Sequence, residues 1–341
     1  MDERDLLYYT LRGAHALNRA PKLQLARDLI GLQAQFARNP EYALRLRASD
    51  YSPDWSEGLI KIWAQRGTIH VIREDELALF LSAADVPEAF VDGAWAISSA
   101  SQNRWAPFIQ DQIRAGNDAR DGLKAACLRA GMDEKLLDRI FHGWGGLIKE
   151  MAWRGQLAIV PGMEKRYLIP KPFERMPRDE AREALIYRYF CTFGPATIAD
   201  CRYFFGWKAR EMETPLRRAL ESLSCTRIGS ADYFHSPGLP PADAIPDCVP
   251  LPGFDQTILA YRDRSRLMPP EHARRVTNIA GIVFPAAVVR GRIRAVWKND
   301  RERILVSPLE KLYKKDERAI ERAFKREFGA KEVAFAPINA N

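Results

Sequence analysis

A chain of 341 residues, 47% hydrophobic and 28% charged, has material for two or three buried cores, and that balance excludes wholesale disorder. The apolar run at 279–289 is shorter than the ~18–20 residues a membrane span needs, and the start Met-Asp-Glu-Arg-Asp has no apolar core of a secretory signal behind it. The chain therefore reads as soluble and cytoplasmic, and its 52 Lys and Arg against 44 Asp and Glu, net +8, lean toward a polyanionic partner.

In chain order, 22–32 reads as an amphipathic helix with Leu25, Leu29 and Leu32 stacked. It runs into Gln33-Ala34-Gln35, and Asn39-Pro40 then opens another helix with Asn as cap. An internal repeat follows. Ala64-Gln65-Arg66-Gly67-Thr68-Ile69-His70-Val71-Ile72 and Ala152-Trp153-Arg154-Gly155-Gln156-Leu157-Ala158-Ile159-Val160 share one pattern, predicted as helix, glycine stop, strand in both copies. Helices over 118–130 and 133–142 precede the second copy, and a return strand at 166–169 follows it. Helix, helix, helix, hairpin is the order of a winged helix. The order recurs with helices over 183–190, 196–204 and 208–223 and a hairpin over 226–235. A Pro-rich connector spans 236–253. Beyond it come a hairpin over 282–298, a strand at 304–307, a charged helix over 308–328 and a last strand at 333–336.

Chemistry-bearing motifs are few. The five cysteines (Cys127, Cys191, Cys201, Cys225, Cys248) have no C-x-x-C spacing, and the five histidines (His15, His70, His142, His235, His272) form no H-E-x-x-H. No metal site and no disulfide framework is expected. Neither a Walker-type loop, a dinucleotide fingerprint nor a G-x-S-x-G elbow is present, so no cofactor is expected. Taken alone, Gln33 and Gln35 read as two surface glutamines.

Four motifs change that reading: Gly31-Leu32-Gln33-Ala34-Gln35; Arg66-Gly67-Thr68-Ile69-His70; Gly253-Phe254-Asp255-Gln256-Thr257-Ile258-Leu259 with Asp263-Arg264-Ser265-Arg266; and Gly291-Arg292-Ile293-Arg294-Ala295-Val296-Trp297. Together, in this order, they resemble the winged-helix DNA glycosylases of the AlkZ/YcaQ type, which excise N7-alkylated purines and unhook interstrand crosslinks. The resemblance runs from about residue 10 to the last strand. It implies an α+β, mostly helical fold of three tandem winged-helix modules with a C-terminal β-rich domain. The boundaries expected are 1–90, carrying the Gln-Ala-Gln motif; 91–175; 176–245; and 246–341, a scaffold with a basic hairpin and a C-terminal helix.

The resemblance also implies that Gln33 and Gln35 are catalytic, as the Gln-hydrophobic-Gln form of the family's motif, with Ala34 a small middle residue. An N7-alkylpurine is cationic and leaves readily, so what remains is to hold a water at C1′, which a neutral amide can do with its donors and acceptor. The implied enzyme is a monofunctional hydrolase with a water nucleophile. Its partner is double-stranded DNA carrying an alkylated purine. For grip, Arg262, Arg264 and Arg266 alternate, as do Arg292 and Arg294, so extended strands would present each set on one face. A solvated strand face is the other reading of those arginines. Arg38 lies beside the motif. His70 has two readings, contact with DNA or a satisfied structural histidine. Two further function classes stand beside the glycosylase: a winged-helix transcriptional regulator without chemistry, and a protein-interaction array. The repeats lie within one chain and no heptad appears, which favours a monomer.

Overall fold

The computed structural model describes residues 2–84, 86, 89–300 and 303–337. The fold is α+β, and its chain packs as two compact units, 1–55 with 183–341, and 56–182. The expected boundaries at 90, 175 and 245 follow local pattern, whereas the packing divides the chain at 55 and 182. Among the described residues, no helix is long and apolar enough to cross a membrane.

The first unit is built on a five-stranded mixed sheet. Its order is Glu332–Phe335, Arg303–Pro308, Arg292–Asp300, Ala286–Val289, Cys248–Leu251. Neighbours are antiparallel except the first pair, whose parallel register is reached through the crossover helix Lys314–Phe328. Alternation along the strands fills both faces. Ala287, Val289, Ala295 and Trp297 pack with Ala319, Ile320, Ala323 and Phe324 of that helix. Ala286, Val288 and Ile293 pack instead with Leu7 and Leu11 of the helix Glu3–Gly13 and with Phe254 and Ile258. The strand Cys248–Leu251 lies inside the segment expected to be a connector. Its Pro250 does not prevent this, because the strand is at the sheet edge, where a missing N–H is tolerated.

A bulge in Arg292–Asp300 falls between Ile293 and Ala295. There Arg294 donates to Asp316 Oδ2 at 2.9 Å and to Glu310, while Arg290, in the preceding turn, donates to Asp316 Oδ1 at 2.9 Å. Burial alone would raise the Asp316 carboxyl. The Arg290 bond, the Tyr313 N–H and Arg294 outweigh it and hold the group below the usual carboxylate range.

Three helices and a hairpin follow one another at 178–235 in the expected order: Arg178–Phe193, Ile198–Phe205, Ala209–Leu220, then Ser224–Ile228 paired with Ala231–His235. The boundary at 182 falls inside the first of these helices. Thr197 and Asp200 form a reciprocal capping box, so the second helix starts at Ile198, three residues after Pro195, rather than at Ala196 as expected. Ala196 pairs with Phe234 of the hairpin.

The segment 261–267, expected as an extended strand, is a turn instead. Asp263 accepts from the Ser265 N–H at 2.9 Å, and Leu267 and Met268 donate back to Arg264 O, so local bonds close the loop. Asp200 Oδ1 fixes its start by accepting from the Arg262 N–H at 2.9 Å.

The second unit carries the antiparallel strands Ile69–Arg73, Leu59–Trp63, Ala158–Ile159 and Tyr167–Leu168, side by side in that order. Here the repeat is corrected. In the second copy the helix Gly146–Trp153 precedes the Arg-Gly, as expected, but in the first copy 59–63 is a strand. Arg66 and Gly67, with φ of 57° and 63°, turn a hairpin rather than end a helix. Five residues with two isoleucines and a Trp do not distinguish the two periods, and pairing on both edges decides for the strand. Ahead of the second hairpin run Ser99–Arg114, Arg120–Arg129 and Glu134–Ile140, and Ala119 bridges to Arg166 just as Ala196 does to Phe234. Trp105, Ile109, Leu123, Leu137, Leu147 and Met151 form the core.

His70 is fully buried in this unit, with Nδ1 3.0 Å from Thr68 O and Nε2 without a partner among the described residues. Burial first, then the nearby Arg66 charge, bring its pKa down to about 3. An unfolded histidine titrates near 6.5, so between these values the unfolded chain binds more protons. His70 thus contributes its full stability above about pH 6.5 and loses it as the pH falls toward 3. In His70→Leu the acid side of the stability profile should flatten between pH 6.5 and 4.5, as read from urea midpoints; an unchanged slope would contradict the buried neutral ring. In the first unit, Arg266 is nearly buried. It donates to Pro195 O at 3.1 Å and stacks on Tyr261 at 4.4 Å. Arg266→Ala should cost about 3 kcal/mol in urea denaturation, and a loss below 0.5 kcal/mol would show this contact to be idle.

Candidate active site

The helix Lys22–Asp28 ends earlier than expected. Ile30 and Gly31 take φ of 54° and 83° and return their N–H groups to Arg27 O and Ala26 O. This reversal sends Leu32 and Gln33 out as a two-residue strand. The next helix, Arg38–Arg47, starts one residue before Asn39, with Ala37 at the cap. Asn39 and Pro40 therefore lie in its first turn, a position Pro tolerates because the first N–H groups have no helical partner. The Gln-Ala-Gln motif is thus a loop between two helix ends.

Its two glutamines have different surroundings. Gln33 is buried, 7% exposed, and lines a cavity of about 10 Å³ with Asn39, Arg47, Gly253, Asp255 and Gln256. Gln35 is half-buried, and its carboxamide has no hydrogen-bond partner among the described residues. A loop with one anchored amide and one unengaged amide can hold a water against a substrate; it cannot act as a strong base.

The structure brings the third sequence motif against the first. Asp255 caps the short helix Gln256–Leu259 through the Thr257 N–H, and its other oxygen accepts from Arg47 at 2.6 Å. Both partners are almost fully buried, at 3% and 0% side-chain exposure. Gln256 donates from Nε2 to Gly31 O at 2.7 Å, at the point where the chain turns into the motif. Phe254 holds a positive φ of 55°, and its N–H reaches Val283 O. The Phe36 ring, half exposed, sits 5.7 Å from the Phe254 ring.

Arg47, Asp255 and Gln256 were not singled out as site residues from sequence. Arg47 sits on a helix with Arg38 and Arg45, where it resembles any surface charge. Asp255 and Gln256 belong to the Gly253–Leu259 motif, which is the sequence signal for them.

The cationic candidates separate into two groups. Arg38, Arg262 and Arg292 are exposed, with no side-chain partner among the described residues. Arg264 donates to Ile258 O, Thr277 Oγ1 and Tyr203 Oη, and Arg266 and Arg294 are held by the internal contacts above. His70 lies in the core of the second unit. The alternation that suggested one basic face of three arginines ends in one exposed and two tethered side chains.

The chain is 25% identical to an interstrand DNA cross-link repair glycosylase of Streptomyces sahachiroi, over 91% of each chain. Its fold matches the solved structure of the Streptomyces sahachiroi DNA glycosylase AlkZ with a TM-score of 0.79, at 21% identity and covering 98% of this chain and 99% of that one. Residues 26–327, which include the glutamine loop and the Arg47–Asp255 pair, match the model of the family described as DNA glycosylase AlkZ-like. The protein is thus a member of the AlkZ-like DNA glycosylases, hydrolases that break the N-glycosidic bond between base and sugar.

Proposed function

We propose that this protein excises N7-alkylated purines from double-stranded DNA as a monomer, and that its substrates include bulky adducts and interstrand crosslinks. The carrying observation is the unengaged Gln35 carboxamide beside the anchored Gln33. The cross-link repair activity in the name of the Streptomyces relative supports the substrate class.

Alkylation at N7 places a positive charge on the purine, so the base departs without strong acid and the sugar acquires cationic character. Gln35 orients the attacking water by accepting a hydrogen bond at its amide oxygen; as the water oxygen bonds to C1′ and the C1′–N9 bond breaks, the water's proton passes to solvent. Gln33 holds the loop and offers the second amide. Neither group needs to ionise, so positioning supplies the acceleration.

We also read the helices and hairpins at 99–168 and 178–235 as winged-helix modules, each with a bridging residue (Ala119, Ala196) pairing to its wing. The first three helices, with the hairpin Leu59–Trp63 and Ile69–Arg73 after them in the chain, repeat that order. Arg38, Arg262 and Arg292 supply the phosphate contacts.

Gln35→Ala should lower single-turnover excision of N7-methylguanine from a defined duplex about 100-fold, with DNA affinity nearly unchanged. Gln33→Ala should act in the same direction. Abasic sites revealed by heating in alkali give the readout, and near-normal rates in Gln35→Ala would remove the catalytic assignment. For DNA binding, Arg38→Ala, Arg262→Ala and Arg292→Ala should each flatten the log–log salt dependence of affinity by about one unit. A slope that stays constant in all three places the phosphate contacts on other residues.

A further inference from the structure

We propose that Gln256 and Arg47 hold one buried water that fixes the Gln33 carboxamide, which makes Gln256 a positioning residue for excision; this rests on the reading of Gln33 and Gln35 above. Four observations carry it.

Gln256 is 3% exposed, and its Nε2 donates to Gly31 O at 2.7 Å, two residues ahead of Gln33. That bond also fixes the orientation of the amide, since turning it over would set two oxygens against each other. The Oε1 atom, so directed, is buried and has no partner among the described residues. Arg47 is in the same position from the donor side. One terminal nitrogen is locked on Asp255 at 2.6 Å, and its buried Nε–H has no partner among the described residues.

Both residues line the cavity of about 10 Å³ that Gln33 and Asn39 also line, and that is about the room one water needs. A water there accepts from Arg47 Nε and donates to Gln256 Oε1, which satisfies an unpaired donor and an unpaired acceptor together. Its second O–H is directed to the amide oxygen of Gln33, which lines the same cavity. Neither Gln256 nor Arg47 can turn away to another partner without breaking the bond that already holds it. The loop is thereby held from behind by a chain of hydrogen bonds that starts at the Arg47 guanidinium, whose charge Asp255 balances.

Gln256→Leu retains bulk but removes both the bond to Gly31 and the acceptor. The expected result is about a tenfold fall in single-turnover excision at saturating enzyme, with the enzyme concentration for half-maximal rate unchanged. A protein that merely loosened would lose DNA affinity along with rate. Gln256→Met, unbranched and of similar length, serves if the Leu variant fails to fold. A crystal structure of the wild-type protein should show a water within hydrogen-bond distance of both Gln256 Oε1 and Arg47 Nε. No water there, or full excision by the Gln256 variants while Gln35→Ala is inactive, overturns the positioning role and leaves the proposed site standing. Full excision by Gln35→Ala overturns the site, and the role of Gln256 with it.

Discussion

The buried ion pair between Arg47 and Asp255 is the contact on which the proposed site depends. Removing two charges from water is costly, and their attraction offsets that cost only because the pair is short and Asp255 accepts a second bond from Thr257. Deleting either partner would strand the other in a medium that cannot solvate it, a loss of about 3–5 kcal/mol. The pair joins the end of one helix to the start of another, and the glutamine loop precedes the first of these. Gln256, next to Asp255, reaches the near end of the same loop. Two adjacent residues therefore fix the loop's frame, while Gln35 remains unengaged.

Arginine performs similar work elsewhere, and this alters the meaning of a net charge of +8. Arg275 donates to Leu309 O and Pro308 O, Arg120 to Phe141 O, and Arg182, fully buried, to Ala83 O. A planar guanidinium with five donors satisfies carbonyls left over at turns, where lysine would offer one point charge. Part of the basic excess is thus internal fastening, and composition overstates the cation available to a polyanion.

Much of the fold was legible because its periods are long and unambiguous. The helices and hairpin at 178–235 and the strands from 286 onward fall where spacing places them. Failures occurred where a short pattern fits two structures. Leu59–Trp63 carries a helical spacing and a strand composition, and its neighbours, not its own residues, decide. The alternating arginines at 262–266 meet the period of a strand, yet Asp263 closes a turn that no period encodes. The glutamine loop was legible through its resemblance to a family. Its supports were not, since Arg47 and Asp255 stand 208 positions apart and neither carries a local mark of the other.

That separation bears on the order in which a nascent chain becomes competent. The unit at 56–182 is contiguous and has its own core, so its contacts are all available once residue 182 has left the ribosome. The glutamine loop, made far earlier, stays without its clamp until residues 255 and 256 emerge. Chains cut short before that point lack the groups that order the loop. Under the role proposed for the loop, excision thus waits, by connectivity alone, for chains that extend past residue 256.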